Sequence, residues 1–296
     1  MVKAVFFLVI SLLVASYSDN ASAGCSQDDD GLVILVDDGD TRCVTDAISV
    51  GFTLVKLGFC TDFLPAEPTL ESINAVCEFT LQEETKFSLS KGDKVAVRAD
   101  LPPEGEYPYY IIIQKPEVTL RGLVEFAHDV SAGDIRNARF CQPPEGIYSL
   151  TPEHRFKRND CTAERPEDIN TGIFVRKTLW GNTFSAYLSK TEGSAASPVL
   201  DQGADGNSWL LNENYEIATE YDDVAYVVRL RNISQIFGSP ITIDSDTSAL
   251  NYNLGITDGM GFRTTNCTPI AEANGPANCN IGHLFLFGAV KLGNVF

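Results

Sequence analysis

The chain has no C-x-x-C pair, no H-E-x-x-H and no G-x-S-x-G. Their absence disfavours zinc ribbons, thioredoxin-like redox sites, the commonest zinc-protease signature and the nucleophile elbow of serine hydrolases. Histidine is scarce: His128, His154 and His283 are all there are. His128 precedes Asp129, but neighbours on a strand point to opposite faces, so the carboxylate is not placed to orient the imidazole. Positive charge is also short, 22 Lys and Arg against 40 Asp and Glu, which gives a net charge of -18. Such a field repels nucleic acid and anionic membranes. No catalytic constellation stands out, and the reading leans away from an enzyme.

What is present points to export. Lys3 supplies a positive start, Ala4 to Ala15 form a twelve-residue apolar run, and Ala21-Ser22-Ala23 fits signal peptidase. The run falls short of the roughly 20 apolar residues that cross a bilayer, so residues 1–23 are expected to be a cleaved signal peptide with no integral span afterwards. Ser22 to Cys25 also has a partial lipobox pattern. Acylating Cys25 would leave an odd number of cysteines, which argues for soluble secretion instead. The expected location is extracellular, periplasmic or at the cell surface.

Eight cysteines follow the leader. Long cysteine-free stretches separate Cys77 from Cys141 and Cys161 from Cys267, so sequential neighbours are the expected pairs: Cys25–Cys43, Cys60–Cys77, Cys141–Cys161 and Cys267–Cys279. Each would close a local loop.

Period-two alternation recurs. In Val224 to Arg231, Val224, Tyr226, Val228 and Leu230 share one face. Lys94 to Arg98 and Ile173 to Trp180 alternate likewise, and Leu32 to Val36 and Tyr109 to Ile113 are short apolar runs. Thr69 to Val76 alone reads as a short helix. The fold class is therefore all-β, a disulfide-bonded antiparallel β-sandwich. The interruption at Ser131 to Asn137 suggests an N-terminal sandwich over 24–135 and a larger, loop-rich β-unit over 136–296.

Pro-Pro-Glu-Gly-x-Tyr occurs at Pro102 to Tyr107 and again at Pro143 to Tyr148. Proline fixes φ and glycine permits positive φ, so each copy reads as a turn that leads into a strand. On this motif, residues 50 to 127 resemble secreted prealbumin-like (transthyretin-like) β-sandwich modules. The resemblance implies a fold and an accessory or surface role, and carries no functional residue across.

Acidic clusters suggest calcium as a possible cofactor. The richest in glycine and oxygen donors runs from Asp201 to Asn207, with Asp201, Asp205 and Asn207 as candidate ligands and an ordinary Asp-Gly turn as the alternative. His154-Arg155-Phe156-Lys157-Arg158 is a basic patch in an acidic chain, and Arg155, Lys157 and Arg158 could meet an acidic partner or another copy of the protein. Trp180, Trp209, Tyr215, Tyr221 and Tyr226 concentrate aromatic rings. They are either core or a carbohydrate platform centred on Trp180 and Trp209, with Asp222 and Asp223 as acids for glycan chemistry. Asn232 and Asn266 stand in glycosylation sequons. The terminal Phe296 after Leu284 to Phe287 resembles the last strand of an outer-membrane barrel, although the cysteines argue against one. The leading expectation is a non-enzymatic structural, adhesive or surface-assembly protein, self-assembling or meeting a cell-surface protein or glycan. A carbohydrate-binding module or glycan-acting enzyme is the alternative.

Overall fold

A computed structural model describes residues 25–27, 33–35, 41–132, 135–150, 160–176, 206–219, 223–234, 238–256, 260–265, 277–286 and 291–293. In chain order the first strands are β1 (Cys25–Gln27), β2 (Val33–Leu35), β3 (Thr41–Thr45) and β4 (Ser49–Cys60). Helix α1 (Leu70–Val76) follows, then β5 (Cys77–Leu81), β6 (Thr85–Ser90), β7 (Lys94–Ala99), β8 (Gly105–Tyr107), β9 (Tyr109–Arg121) and β10 (Val124–Ala132). Next come β11 (Ile135–Gln142), β12 (Gly146–Leu150), β13 (Asp160–Thr162), β14 (Thr171–Arg176), β15 (Gly206–Leu211) and β16 (Tyr226–Asn232). The last are β17 (Ile241–Ile243), β18 (Leu250–Gly255), β19 (Met260–Thr265), β20 (Ala277–Leu286) and β21 (Lys291–Gly293). The fold is all-β and mostly antiparallel. Parallel pairing occurs between β12 and β14, and where β10 meets β2 and β20.

The long pair β4–β9 is the backbone of one sheet. Along Ser49–Leu54, β4 also pairs with β6, and along Leu57–Cys60 with β5. On the far edge, Tyr109–Gln114 of β9 pairs with β16, and Glu117–Arg121 with β14. The two halves meet at a bulge, where register shifts fall between Phe52, Leu54 and Lys56. Pro116 sits in that bulge. It has no N–H to give to a ladder, so this is where a long strand tolerates it. The extra residue also resets the facing of β4: Leu54 and Leu57 enter one apolar layer while Val55 enters the other.

The first layer lies between sheets, where Phe59 meets Tyr107 and Tyr252, and Phe126 meets Phe262 edge-on at 5.5 Å. Facing sheets with a shared apolar core make the sandwich. The second layer lies on the opposite face of β4, β9, β15 and β16 and gathers Ile111, Ile113, Trp209 and Val228 under Leu64 and Ile73. Because β16 has a strand on each side and apolar groups on both faces, Val227 is as buried as Val228. The alternation of Val224 to Arg231, which reads as a half-buried strand with one apolar face, is corrected accordingly. Gly58 lets β5 approach β4 closely, since a Cβ there would lie 2.2 Å from the Glu78 carbonyl oxygen.

Among the described residues, all four sheets combine strands from both sides of residue 135. That residue opens β11, which pairs with β10. The expected segments 24–135 and 136–296 are interleaved in the ladders.

The two Pro-Pro-Glu-Gly-x-Tyr copies differ. In the first, the buried Tyr107 donates its hydroxyl to the Pro103 carbonyl at 2.9 Å. In the second, Gly146 takes a φ of 108°, which a side chain would resist. Cys25–Cys43, Cys60–Cys77 and Cys141–Cys161 are disulfide-bonded, as their clustering implied. Cys267, of the fourth expected pair, is outside the described residues. Among the described residues no helix is long and apolar enough to cross a membrane, which says nothing about a β-barrel.

Candidate functional site

β4 ends at Cys60 and β5 starts at Cys77, directly opposite one another and bonded through sulfur. The loop they close is fixed at many points. The Thr61 N–H and hydroxyl both reach the Val76 carbonyl, at 2.9 and 3.3 Å. Leu64 and Pro68 are buried, and the Trp209 indole N–H donates to the Ala66 carbonyl at 3.1 Å. Helix α1 starts from a reciprocal cap: the Ser72 N–H donates to Thr69 Oγ1 at 3.2 Å, and the Thr69 N–H to Ser72 Oγ at 2.8 Å. The helix expected over Thr69 to Val76 is thus present.

What this bracing leaves outside is informative. Phe63 is 47% exposed, with its ring centroid 4.4 Å from that of Tyr109. Asp62 beside it accepts the Phe63 N–H at 2.7 Å. The Tyr109 hydroxyl pKa is raised, chiefly by burial and further by the Asp62 charge. Residues 61–76 contain Asp62, Glu67 and Glu71 and no Lys, Arg or His. An exposed aromatic ring beside the Asp62 carboxylate, on a loop with little freedom left to lose, suits recognition of a cationic or amphipathic group.

A second feature lies farther along the same sheet face. The turn after β15 is held by Asn212, whose side-chain oxygen accepts the Asn214 and Glu216 N–H groups at 2.9 and 3.0 Å. It places Tyr215 at a φ of 62°, a conformation that favours glycine or asparagine. Tyr215 stacks on Tyr226 at 4.7 Å, Lys115 lies 4.8 Å over Tyr226, and Lys56 lies 5.2 Å over Tyr215 and 4.9 Å over Phe79. Both tyrosines are half-buried and are engaged by one another and by the lysines, so the ladder ties the turn after β15 to the sheet. Burial lowers the Lys56 pKa.

Burial, followed by Tyr226 through its charge and hydrogen bond, pushes Tyr215 up to about 12 from 10. A raised folded-state pKa favours the protonated phenol in the fold, so this contribution is complete below pH 10 and is lost as pH rises through about 12. Urea midpoints measured across that window are expected to fall less steeply in Tyr215→Phe, which keeps the ring without the proton. An unchanged slope would remove Tyr215 from the alkaline transition.

The residues singled out from sequence are not brought together. Trp209 is corrected: it has 0% exposure within the second apolar layer and cannot be a glycan platform. Trp180, Asp222, Asp201 and Asp205 lie outside the described residues, as do Arg155, Lys157 and Arg158. Asn207 is placed in β15, paired with Leu230, and not in an open loop. Asp223 is exposed in a turn. No group of three or more His, Cys, Asp and Glu among the described residues could hold a metal. His128 is half-buried in β10, and the Asn232 side chain accepts the Ser234 N–H at 2.9 Å. Phe63, Lys56, Phe79 and Lys115 escaped the sequence reading. The cysteines on each side of Phe63 were the one signal that could have drawn attention to it. No family model, curated protein or solved structure matches this chain.

Proposed function

We propose that the protein is a non-enzymatic β-sandwich subunit of an oxidising compartment, secreted, periplasmic or at the cell surface, that acts in structure, adhesion or surface assembly. The observation carrying this reading is the disulfide-closed, pinned loop that presents Phe63 and Asp62. Three disulfides support an oxidising location. The prealbumin-like turn at Pro102 to Tyr107 supports a module of surface or accessory type by analogy of fold alone.

Size-exclusion chromatography with light scattering on the exported chain, with and without calcium, tests it. Species growing with concentration are expected. Calcium-dependent growth would point to a cation held by the acidic chain, to be located by substitution of Asp201 and Asp205. A monomer under both conditions would count against assembly.

Glycan binding is the second reading, favoured by the exposed Phe63 beside Tyr109 with Asp62 as a hydroxyl acceptor. In that case glycan arrays should show a signal that Phe63→Ala or Trp180→Ala removes while the fold is kept.

A further inference from the structure

We infer that the protein associates with a second copy of itself through unlike surfaces, the acidic Phe63 loop of one chain receiving Arg98 on the outer face of the β7–β18–β21 sheet of the next. This rests on the assembly reading and supplies its interface.

The small sheet of β7, β18 and β21 departs from the rest of the chain in charge. Its strands contain Lys94, Arg98 and Lys291 and no Asp or Glu. The whole chain, by contrast, has 40 Asp and Glu against 22 Lys and Arg. Alternation sorts the two faces of this sheet. Leu250, Tyr252 and Leu254 are buried in the first apolar layer, and Val95, Val97 and Ala99 pack against it. Ala96 and Arg98, which fall between those valines and alanine, are exposed on the outer face. Register sets Lys94 and Lys291 on either side of Gly255, two residues along from the row of Ala96. Asp93, just before β7, is engaged locally, since its Oδ2 accepts the Ser90 N–H at 2.7 Å.

The loop closed by Cys60–Cys77 has the complementary chemistry. It exposes Asp62, Phe63 and Glu71, and residues 61–76 contain no cationic side chain. A guanidinium suits both parts of it, because it lies flat on an aromatic face and forks onto a carboxylate. Ala96, with its small side chain beside Arg98, offers an apolar spot for the Phe63 ring. The loop is already held by Trp209, Leu64 and the Thr69 cap, so little freedom remains to be lost on docking.

The two surfaces lie on opposite sides of the sandwich. Phe63 sits on Tyr109, which packs against the second apolar layer. The β7–β18–β21 sheet closes the first layer from the other side, where Tyr252 stacks on Phe59 at 5.8 Å. A contact between unlike surfaces is heterologous, and unless its rotation closes a ring it propagates into an open chain of copies.

Charge reversal with mixing tests this in the full exported chain with disulfides intact. One variant carries Asp62→Lys and Glu71→Lys, and the other Ala96→Glu and Arg98→Glu, with circular dichroism to check folding. Sedimentation velocity of the wild type is expected to show species beyond a dimer that dissociate as salt rises. Each variant alone should lose self-association by about tenfold or more, since both of its surfaces then carry one sign of charge. An equimolar mixture should regain it, because each reversed surface meets its complement, and a general folding defect cannot produce that recovery. Should a reversal variant fail to fold, Phe63→Ala and Arg98→Ala, one truncation on each surface, are each expected to weaken association in its place. If the wild type assembles while the variants assemble equally well, or the mixture stays monomeric, the interface is overturned and the assembly reading stands. A wild type that is monomeric at every concentration overturns both, and binding of dextran sulfate that Arg98→Ala removes would then give the basic face to a polyanion.

Discussion

Trp209→Ala is expected to lower the free energy of unfolding by about 3–5 kcal/mol, the range for truncating a fully buried large aromatic. Trp209 has 0% exposure, stands opposite Val228 across the β15–β16 ladder, and touches the underside of the loop through its bond to the Ala66 carbonyl. Removing it leaves a cavity in the second apolar layer and an acceptor without its donor. Trp209→Phe separates the two losses. It keeps most of the volume, and its remaining deficit of about 1 kcal/mol reports the missing indole N–H. Urea unfolding at neutral pH measures both. A drop below about 1 kcal/mol for the alanine variant would mean that Trp209 is not the core group described, and would reopen the sugar-platform reading of that ring. For the same reason, loss of glycan binding in Trp209→Ala would report unfolding, whereas Phe63→Ala tests an exposed ring.

Trp209, read from sequence as either core or sugar platform, shows what a one-dimensional reading leaves open. Aromatic content says that rings cluster, but burial is decided by which strands lie beside β15 and by the loop folded over it, both remote in sequence. The cysteine pairs were legible because each bond closes a local loop, with separations of 18, 17 and 20 residues. Helix α1 was legible for the same reason, since Thr69 and Ser72 cap it within four residues. Strand β9 was read only as far as Ile113 because the apolar run stops there. The chain continues through the bulge at Pro116 to Arg121 and so joins the two halves of the sheet. No local pattern shows that β9 lies beside β16 or β10 beside β20, so the pairing of strands from before and after the composition break near residue 135 could not be read from it. The lysine–tyrosine ladder was hidden by the same bulge, because the facing of Lys56 and Lys115 depends on a register shift invisible to strict alternation.

Cys60→Ala with Cys77→Ala is expected to cost about 3 kcal/mol, from the entropy returned to an unfolded chain no longer cross-linked across 17 residues. Alanine is the appropriate replacement because both positions are buried, and serine would add an unpaired hydroxyl. The loss should be felt unevenly. The β4–β5 ladder and the Leu64, Ile73 and Trp209 contacts hold the base of the loop, whereas α1 has seven residues and is too short to persist without its surroundings. Hydrogen exchange is therefore expected to rise most in residues 61–76 and little in β9. Any association through Phe63 should weaken more than global stability alone accounts for, since a loosened loop has more freedom to lose on docking. If stability falls by about 3 kcal/mol while exchange in the loop stays slow, then the apolar contacts and the Ala66 bond are sufficient to hold Phe63 in place, and the disulfide acts only on the unfolded chain.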